Sequence, residues 1–397
     1  MALQASPTAL RSTCAAAVII GNHTQGLGVV RSAADACDSV WVVNDSALAL
    51  SRFSRHLTGY RRVPAGTLRR LDEPGPAGEL MRVLLDLPVE RPSVLFGVDE
   101  DITAFIHRHR EVLRHRYFVP DLPLEKIYDK YLFNLQLPPP ARIDTHLCSE
   151  TDPAKLDDPG RFIVKGRQGS EFRRITGTKA LQLARLTAGD GRRLFERISS
   201  DQVIIQEVVD SERPVVSVCS LSVAGDVIGL FGYEKLRQHP SRFGTGTYLR
   251  SIDIRPLRTL TEQILGHLGF TGISEIEFIQ DRRTGAHKVI EMNPRTWKSV
   301  HFATGCGQNL VARYLEFVAT GEAEKDFGYT CNRYWADLAT DIPEMLRRRK
   351  LWGYNRNFSE CTWDKRDPGP ALALWTLFPL MAAGQRLGER LRRPPDA

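Results

Sequence analysis

The first hydrophobic run, Ala15 to Ile20, stops at Gly21-Asn-His-Thr-Gln-Gly-Leu-Gly28 and gives way to helical spacing from Val29 to Ala36. A second run, Ser39 to Asn44, follows, and the alternation resumes with Ser93 to Val98 and then Asp99 to Leu113. Strand, glycine turn, helix, strand opens a doubly wound α/β unit, so residues 1–120 are expected to form a Rossmann-like domain. The spacing Gly21, Gly26, Gly28 does not match a dinucleotide fingerprint, and the turn is read as a tight connection that binds no nucleotide.

Beyond the Pro138-Pro-Pro140 linker the pattern becomes antiparallel α+β. Arg161 to Lys165 and Gln202 to Val209 read as strands, and Gly166-Arg-Gln-Gly169 as a flexible loop. Val215 to Val223 and Val227 to Tyr233 alternate as an antiparallel pair around Ala224-Gly-Asp226, and Leu257 to Leu268 has helical spacing. Gly272 to Gln280 and Ala286 to Asn293 then flank Asp281-Arg-Arg-Thr-Gly285 as a hairpin. A register symmetric about Thr284 puts Glu277 opposite Glu291. Glu275, Glu277, Ile279, Val289, Glu291 and Asn293 then share one face, and Ile276, Phe278, Ile290 and Met292 the buried one. The expected division is 1–120, 121–205, 206–325 and a mostly helical C-terminal extension over 326–397.

A chain of 397 residues exceeds what one core serves, in keeping with several units. No apolar run approaches the roughly 20 residues of a membrane span. The net charge of +7 suits acidic ligands such as nucleotides but lacks the concentrated basic face of a nucleic-acid binder, so no nucleic-acid partner is expected. Only 11 of the 54 basic residues are lysines and none precedes Lys126, which makes each well-placed lysine informative. Seven scattered cysteines without a Cys-x-x-Cys pair argue against a disulfide framework or zinc site, and the first apolar run lacks a cleavage signature; a cytoplasmic location is expected. Ala371 to Ala383, followed by Arg386, Arg390, Arg392 and Arg393, reads as a docked helix interrupted by Pro379 rather than a membrane-surface anchor.

The hairpin carries the chemistry. Carboxylates directly opposite one another destabilise a sheet unless a cation or raised pKa values relieve them, and Glu277, Glu291 and the Asn293 amide offer oxygen ligands suited to magnesium. The segments Glu275-Ile-Glu-Phe278 and Val289-Ile-Glu-Met-Asn-Pro-Arg295 resemble the metal-binding strands of the ATP-grasp superfamily. That resemblance implies a pre-grasp α/β domain followed by two α+β lobes clamping ATP, with Mg2+, or Mn2+ in its place, as cofactor. It assigns Glu277, Glu291 and Asn293 to the metal and Arg295 to the acyl phosphate. It makes Lys130, in Tyr128-Asp-Lys-Tyr131, and Lys165 the nucleotide-binding lysines, and Gly166 to Ser170, Gly169 included, the loop over the phosphates. Val203 to Val209 becomes the hinge strand, with Gln206, Glu207, Val208 and Val209 at the adenine and Asp210 or Glu212 at the ribose. Lys235 and Arg237, two apart on one strand, would face the γ-phosphate or activated carboxylate, with Gly244-Thr-Gly246 shaping the substrate pocket.

Lys235-Leu-Arg-Gln-His-Pro240, Phe243-Gly-Thr-Gly-Thr-Tyr248 and Glu291-Met-Asn-Pro-Arg-Thr-Trp297 look most like the D-aspartate-ligase-like carboxylate–amine ligases. The implied reaction joins a small carboxylate to an amino-acid-like amine through an acyl phosphate, releasing ADP and phosphate; a homodimer is compatible. Carboxylation or carbamoyl-type transfer is the neighbouring alternative, although no Met-Lys-Met biotinyl motif is present. A non-catalytic ATP-binding protein at a membrane surface and a metal-dependent nuclease are the rivals from other classes.

Overall fold

The computed structural model describes residues 13–379 apart from 22–23, 152–155, 157, 186–193, 242, 348, 350–352, 378. Strands β1 (Cys14–Ile20), β2 (Cys37–Asn44), β3 (Gly59–Arg62) and β4 (Ser93–Gly97) form a parallel sheet in the order β3-β2-β1-β4. Every residue of β1 is buried, as a central parallel strand covered on both faces requires. The first helix begins at Thr24 rather than Val29 and runs to Ala33, so Gly26 and Gly28 lie within it. Gly28 serves packing: a Cβ there would stand 2.9 Å from Val300 Cγ1 of the helix Val300–Gly305.

The second sheet is antiparallel, with β5 (Thr145–Leu147), β6 (Phe162–Gly166), β7 (Leu181–Gln182) and β8 (Val203–Glu207) in the order β5-β8-β6-β7. Phe162, Val164, Val203 and Ile205 join Phe172 in its core. Alternation leaves Thr145, Ile163, Lys165, Ile204 and Gln206 on the opposite face. The boundary expected after residue 205 falls inside β8, which ends at Glu207.

A third sheet of seven strands has the order β13-β12-β9-β10-β11-β14-β15. Its members are β9 (Val216–Val223), β10 (Asp226–His239), β11 (Thr245–Ser251), β12 (Gly272–Gln280), β13 (His287–Asn293), β14 (Tyr334–Ala336) and β15 (Phe358–Glu360). Ala224 and Gly225, both at positive φ, make the expected tight turn between β9 and β10. The C-terminal extension contributes the helix Leu338–Arg347 and also β14 and β15, three-residue strands too short for alternation to announce. One face of the sheet packs on the helix Arg255–Leu268 together with Ile127 and Phe133, while Leu221, Phe231 and Ile273 share a core with β1 and β4.

Polar ties lock the first sheet to the third. Gln25 donates to the Thr296 carbonyl at 2.7 Å and to its hydroxyl at 2.9 Å, fixing the segment after β13. Buried Arg31 meets Asp367 Oδ2 at 2.9 Å and also donates to the Thr362 carbonyl, while the Ser54 hydroxyl and Arg55 N–H donate to the same carboxylate. Asp367→Ala leaves a buried guanidinium without its counter-charge, and we expect a loss of about 3–5 kcal/mol by urea unfolding; a loss under about 1 kcal/mol would show that the clasp carries no stability.

Among the described residues no helix is long and apolar enough to cross a membrane. All seven cysteines are free. Of the apolar stretch from Ala371, Ala371 and Ala373 are buried while Leu372 and Trp375 are exposed; Phe378 and the stretch from Leu380 on, with the arginines after it, lie outside the described residues.

Candidate active site

Glu277 stands opposite Glu291 and Glu275 opposite Asn293, as the symmetric register predicts. A bulge between Glu277 and Phe278 then shifts the pairing, so Phe278 meets Val289 and Ile279 meets Lys288. The faces change accordingly: Val289 enters the core beside Met292 and Phe278, and Ile290, expected inside, is the partly exposed extra residue. The carboxylates lie on the tightly paired side of the bulge and are brought together as expected.

Basic groups from several elements converge on this pair. Lys235 Nζ lies 2.6 Å from Glu277 Oε1, and Lys130 Nζ lies 3.8 Å from Glu291 Oε2. Burial alone would raise Glu291, but Lys179, Lys130, Lys165 and Lys235 outweigh it and hold its carboxyl well below the ordinary range. Glu277 moves the other way: burial, Glu291 and Glu275 raise it against the pull of Lys235. Two facing carboxylates with pKa values pushed apart are typical of a site that handles charge. Glu275 accepts from the Tyr233 hydroxyl and, at 3.2 Å, from the Asn293 amide. Arg295 donates to Asn293 Oδ1 and to the Thr296 carbonyl, each at 3.0 Å, so the strand end orients it.

The second sheet supplies the facing wall. Lys165 donates to Gln206 Oε1 at 2.9 Å, and Gln206 in turn donates to the Thr145 hydroxyl. Burial lowers the Lys165 ammonium to about 8, with Glu291 resisting. As pH rises through about 8 this lysine loses its charge in the free protein. We therefore expect ATP affinity, measured by calorimetry, to fall from pH 7 to pH 9; flat affinity over that range would place Lys165 away from the phosphates. The expected loop from Gly166 to Ser170 is instead a two-residue turn into the helix Gly169–Thr176. Gly166 permits that turn, since a Cβ there would stand 2.4 Å from Phe172 Cβ. The helix N-terminus therefore faces Lys130, whose Nζ lies 3.3 Å from the Cβ position of Gly169.

At the end of β8, expected as the hinge strand, the N–H groups of Glu207 and Val208 already donate to the Asp144 and Arg161 carbonyls, and the Glu207 carboxylate pairs with Arg161 and Arg283. Val209 is buried and Val208 exposed. A cleft of about 570 Å³ opens beside this strand, lined by Thr145, Glu207, Thr284 and Lys288 among others.

Arg237, expected beside Lys235, is not brought to the carboxylates, and Glu212, expected as one alternative at the ribose, lies elsewhere on the surface. Arg237 is bound through Nε and Nη2 to buried Asp341 and lies over the rings of Tyr248 and Tyr354, because a bulge after Lys235 breaks the alternation that would have aligned the two side chains. Glu212 is exposed and pairs with Arg282 near the hairpin tip. Conversely, Lys179 and Glu100 join the site unannounced. Lysine scarcity could have flagged Lys179; nothing local marks Glu100.

No family model matches the sequence, and no curated protein matches it. Solved structures do match the fold. N5-carboxyaminoimidazole synthetase from Staphylococcus aureus has a TM-score of 0.59 at 14% identity, covering 85% of this chain and 86% of that one. L-amino acid ligase from Bacillus licheniformis has 0.56 at 14%, covering 78% and 75%. The biotin carboxylase domain of 2-oxoglutarate carboxylase from Hydrogenobacter thermophilus, solved with MgADP and bicarbonate, has 0.60 at 12%, covering 82% and 74%. By architecture, the chain has the ATP-grasp fold.

Proposed function

We propose that the protein is an ATP-dependent carboxylate–amine ligase, joining a small carboxylic acid to an amine through an acyl phosphate with release of ADP and phosphate. The observation that carries this reading is the convergence of Lys130, Lys165, Lys179 and Lys235 on the Glu277–Glu291 pair. Lysines interleaved with carboxylates hold a polyphosphate and a divalent cation side by side. The donor set fits magnesium: Glu277, Glu291 and Asn293 would hold it through oxygen atoms alone, and the paired carboxylates rely on lysines as counter-charges. When bound, magnesium neutralises charge on the transferring phosphoryl group. The MgADP complex of the Hydrogenobacter carboxylase domain supports nucleotide and magnesium use on this fold.

In this reading residues 1–120 are the pre-grasp domain, the two lobes follow with their boundary at the end of β8 instead of after residue 205, and the extension from 326 completes the third sheet through β14 and β15. Lys130, Lys165 and the Gly169 helix terminus hold the phosphates, and the cleft beside Gln206 to Val209 takes base and ribose. A substrate carboxylate oxygen attacks the γ-phosphorus, the bond to the ADP oxygen breaks, and ADP leaves. A neutral amine then attacks the acyl carbon, the bond to the phosphate oxygen breaks, and the surplus amine proton passes to solvent. Arg295, held at the end of β13, stabilises charge on the acyl phosphate, and no protein nucleophile takes part. Purified protein with magnesium and ATP should release ADP and phosphate only when both a carboxylate and an amine are supplied; AMP and pyrophosphate as products would sink the reading.

A further inference from the structure

Strand β4 ends at Gly97, and Asp99 caps the helix Glu100–Arg108 by accepting the Ile102 N–H at 2.8 Å. Glu100 is therefore not needed as the cap. Its Oε2 lies 3.6 Å from the Cβ position of Gly169, beside Lys130 on the wall assigned to phosphate. Among the described residues the Glu100 side chain makes no hydrogen bond or ion pair. Burial pushes its carboxyl up, Lys130 and Arg295 attract it and Glu291 repels it. A carboxylate here repels a nucleotide and gains no hydrogen bond from the fold, which is a net cost unless a cation arrives with the substrate.

A cavity of about 70 Å³ lies next to it, lined by Gly97, Ile106, Phe118, Tyr314, Thr103 and Arg295. Thr103 is one turn beyond Glu100 on the same helix face. The buried Tyr128 hydroxyl lies within electrostatic reach of Glu100, Arg295 and Thr103 together, so the acid, the arginine and the cavity mouth are neighbours. Arg295 Nε is buried at this junction without a hydrogen-bond partner among the described residues. The cavity has room for a few carbon atoms, and its walls are mostly apolar.

Building on the ligase reading, we propose that Glu100 binds the ammonium group of the acyl donor, which is an α-amino acid with a short aliphatic side chain. Its carboxylate lies toward Arg295 and the γ-phosphate, its ammonium on Glu100 and its side chain in the cavity, three groups that one α-carbon joins. An ion pair of this kind, partly removed from water, separates an amino acid from its des-amino analogue by about tenfold or more.

The test is calorimetric binding to the full chain loaded with magnesium and a non-hydrolysable ATP analogue. The wild type should bind alanine and valine, tried as both enantiomers, at least about tenfold more tightly than propionate and isovalerate. Glu100→Gln, folded by circular dichroism and still binding the ATP analogue, should lose that preference. A wild type that does not favour the amine-bearing acids, or a Glu100→Gln protein that still does, overturns the inference alone. Failure of the ATP analogue to bind the wild type with magnesium overturns the ligase reading and this inference with it.

Discussion

Glu291→Ala is expected to cut carboxylate- and amine-dependent ADP release by about 10³-fold or more, about 4 kcal/mol of barrier, while leaving the fold intact. Glu291 is the acid on which lysines from two sheets, a helix start and a connecting segment act, and its depressed pKa keeps it ionised across the working range. Its removal leaves Lys130, Lys165 and Lys179 facing the phosphates without the carboxylate that anchors a divalent ion. ATP should therefore still bind, but magnesium should no longer strengthen that binding. Calorimetry with and without magnesium, beside a coupled ADP assay, measures both effects. Activity within tenfold of wild type would remove the hairpin from the chemistry.

The second large effect concerns stability. Lys235 and Glu277 form a nearly buried pair, with Glu275 and Glu291 close by, and Lys235→Met leaves Glu277 without its ion-pair partner. The expected cost is about 3–5 kcal/mol at neutral pH by urea unfolding. The sign with pH follows from Glu277, whose folded pKa lies above its ordinary value. Between the two values the folded state binds more protons than the unfolded state, so stability falls as pH rises through that window. The variant should therefore lose less at pH 5 than at pH 7.5. Millimolar magnesium should restore part of the loss, because a ligand that binds only the folded state stabilises it. Equal losses at both pH values would mean that Glu277 does not sense Lys235.

How legible each feature was in the sequence follows from how local it is. The Glu277–Glu291 pairing depends on the fifteen residues from 277 to 291 around one turn, and alternation with turn chemistry fixes it. The bulge at Ile290 has no sequence mark, so Val289 and Ile290 exchange their expected faces. Lys165 closes a strand that the pattern announces, whereas Lys130 is picked out by resemblance alone, and the helix it opens carries no mark that the pattern shows. Arg237 could not be placed, because its partner Asp341 is distant in sequence and the bulge after Lys235 is invisible to period-two reasoning. Lys179 reaches the site from the segment before β7 and Glu100 from the start of the helix after β4, and such approaches are set by packing rather than by pattern. Gly166 and Gly169 read as a loop because glycine marks both turns and tight packing; here Phe172 packed over Gly166 makes it the latter.

The central claim is that this site makes an acyl phosphate, and isotope transfer tests it most directly. Substrate acid labelled with 18O in both carboxylate oxygens, incubated with the protein, magnesium, ATP and amine, should yield phosphate carrying one 18O per amide formed. Amide formed with unlabelled phosphate would contradict the account.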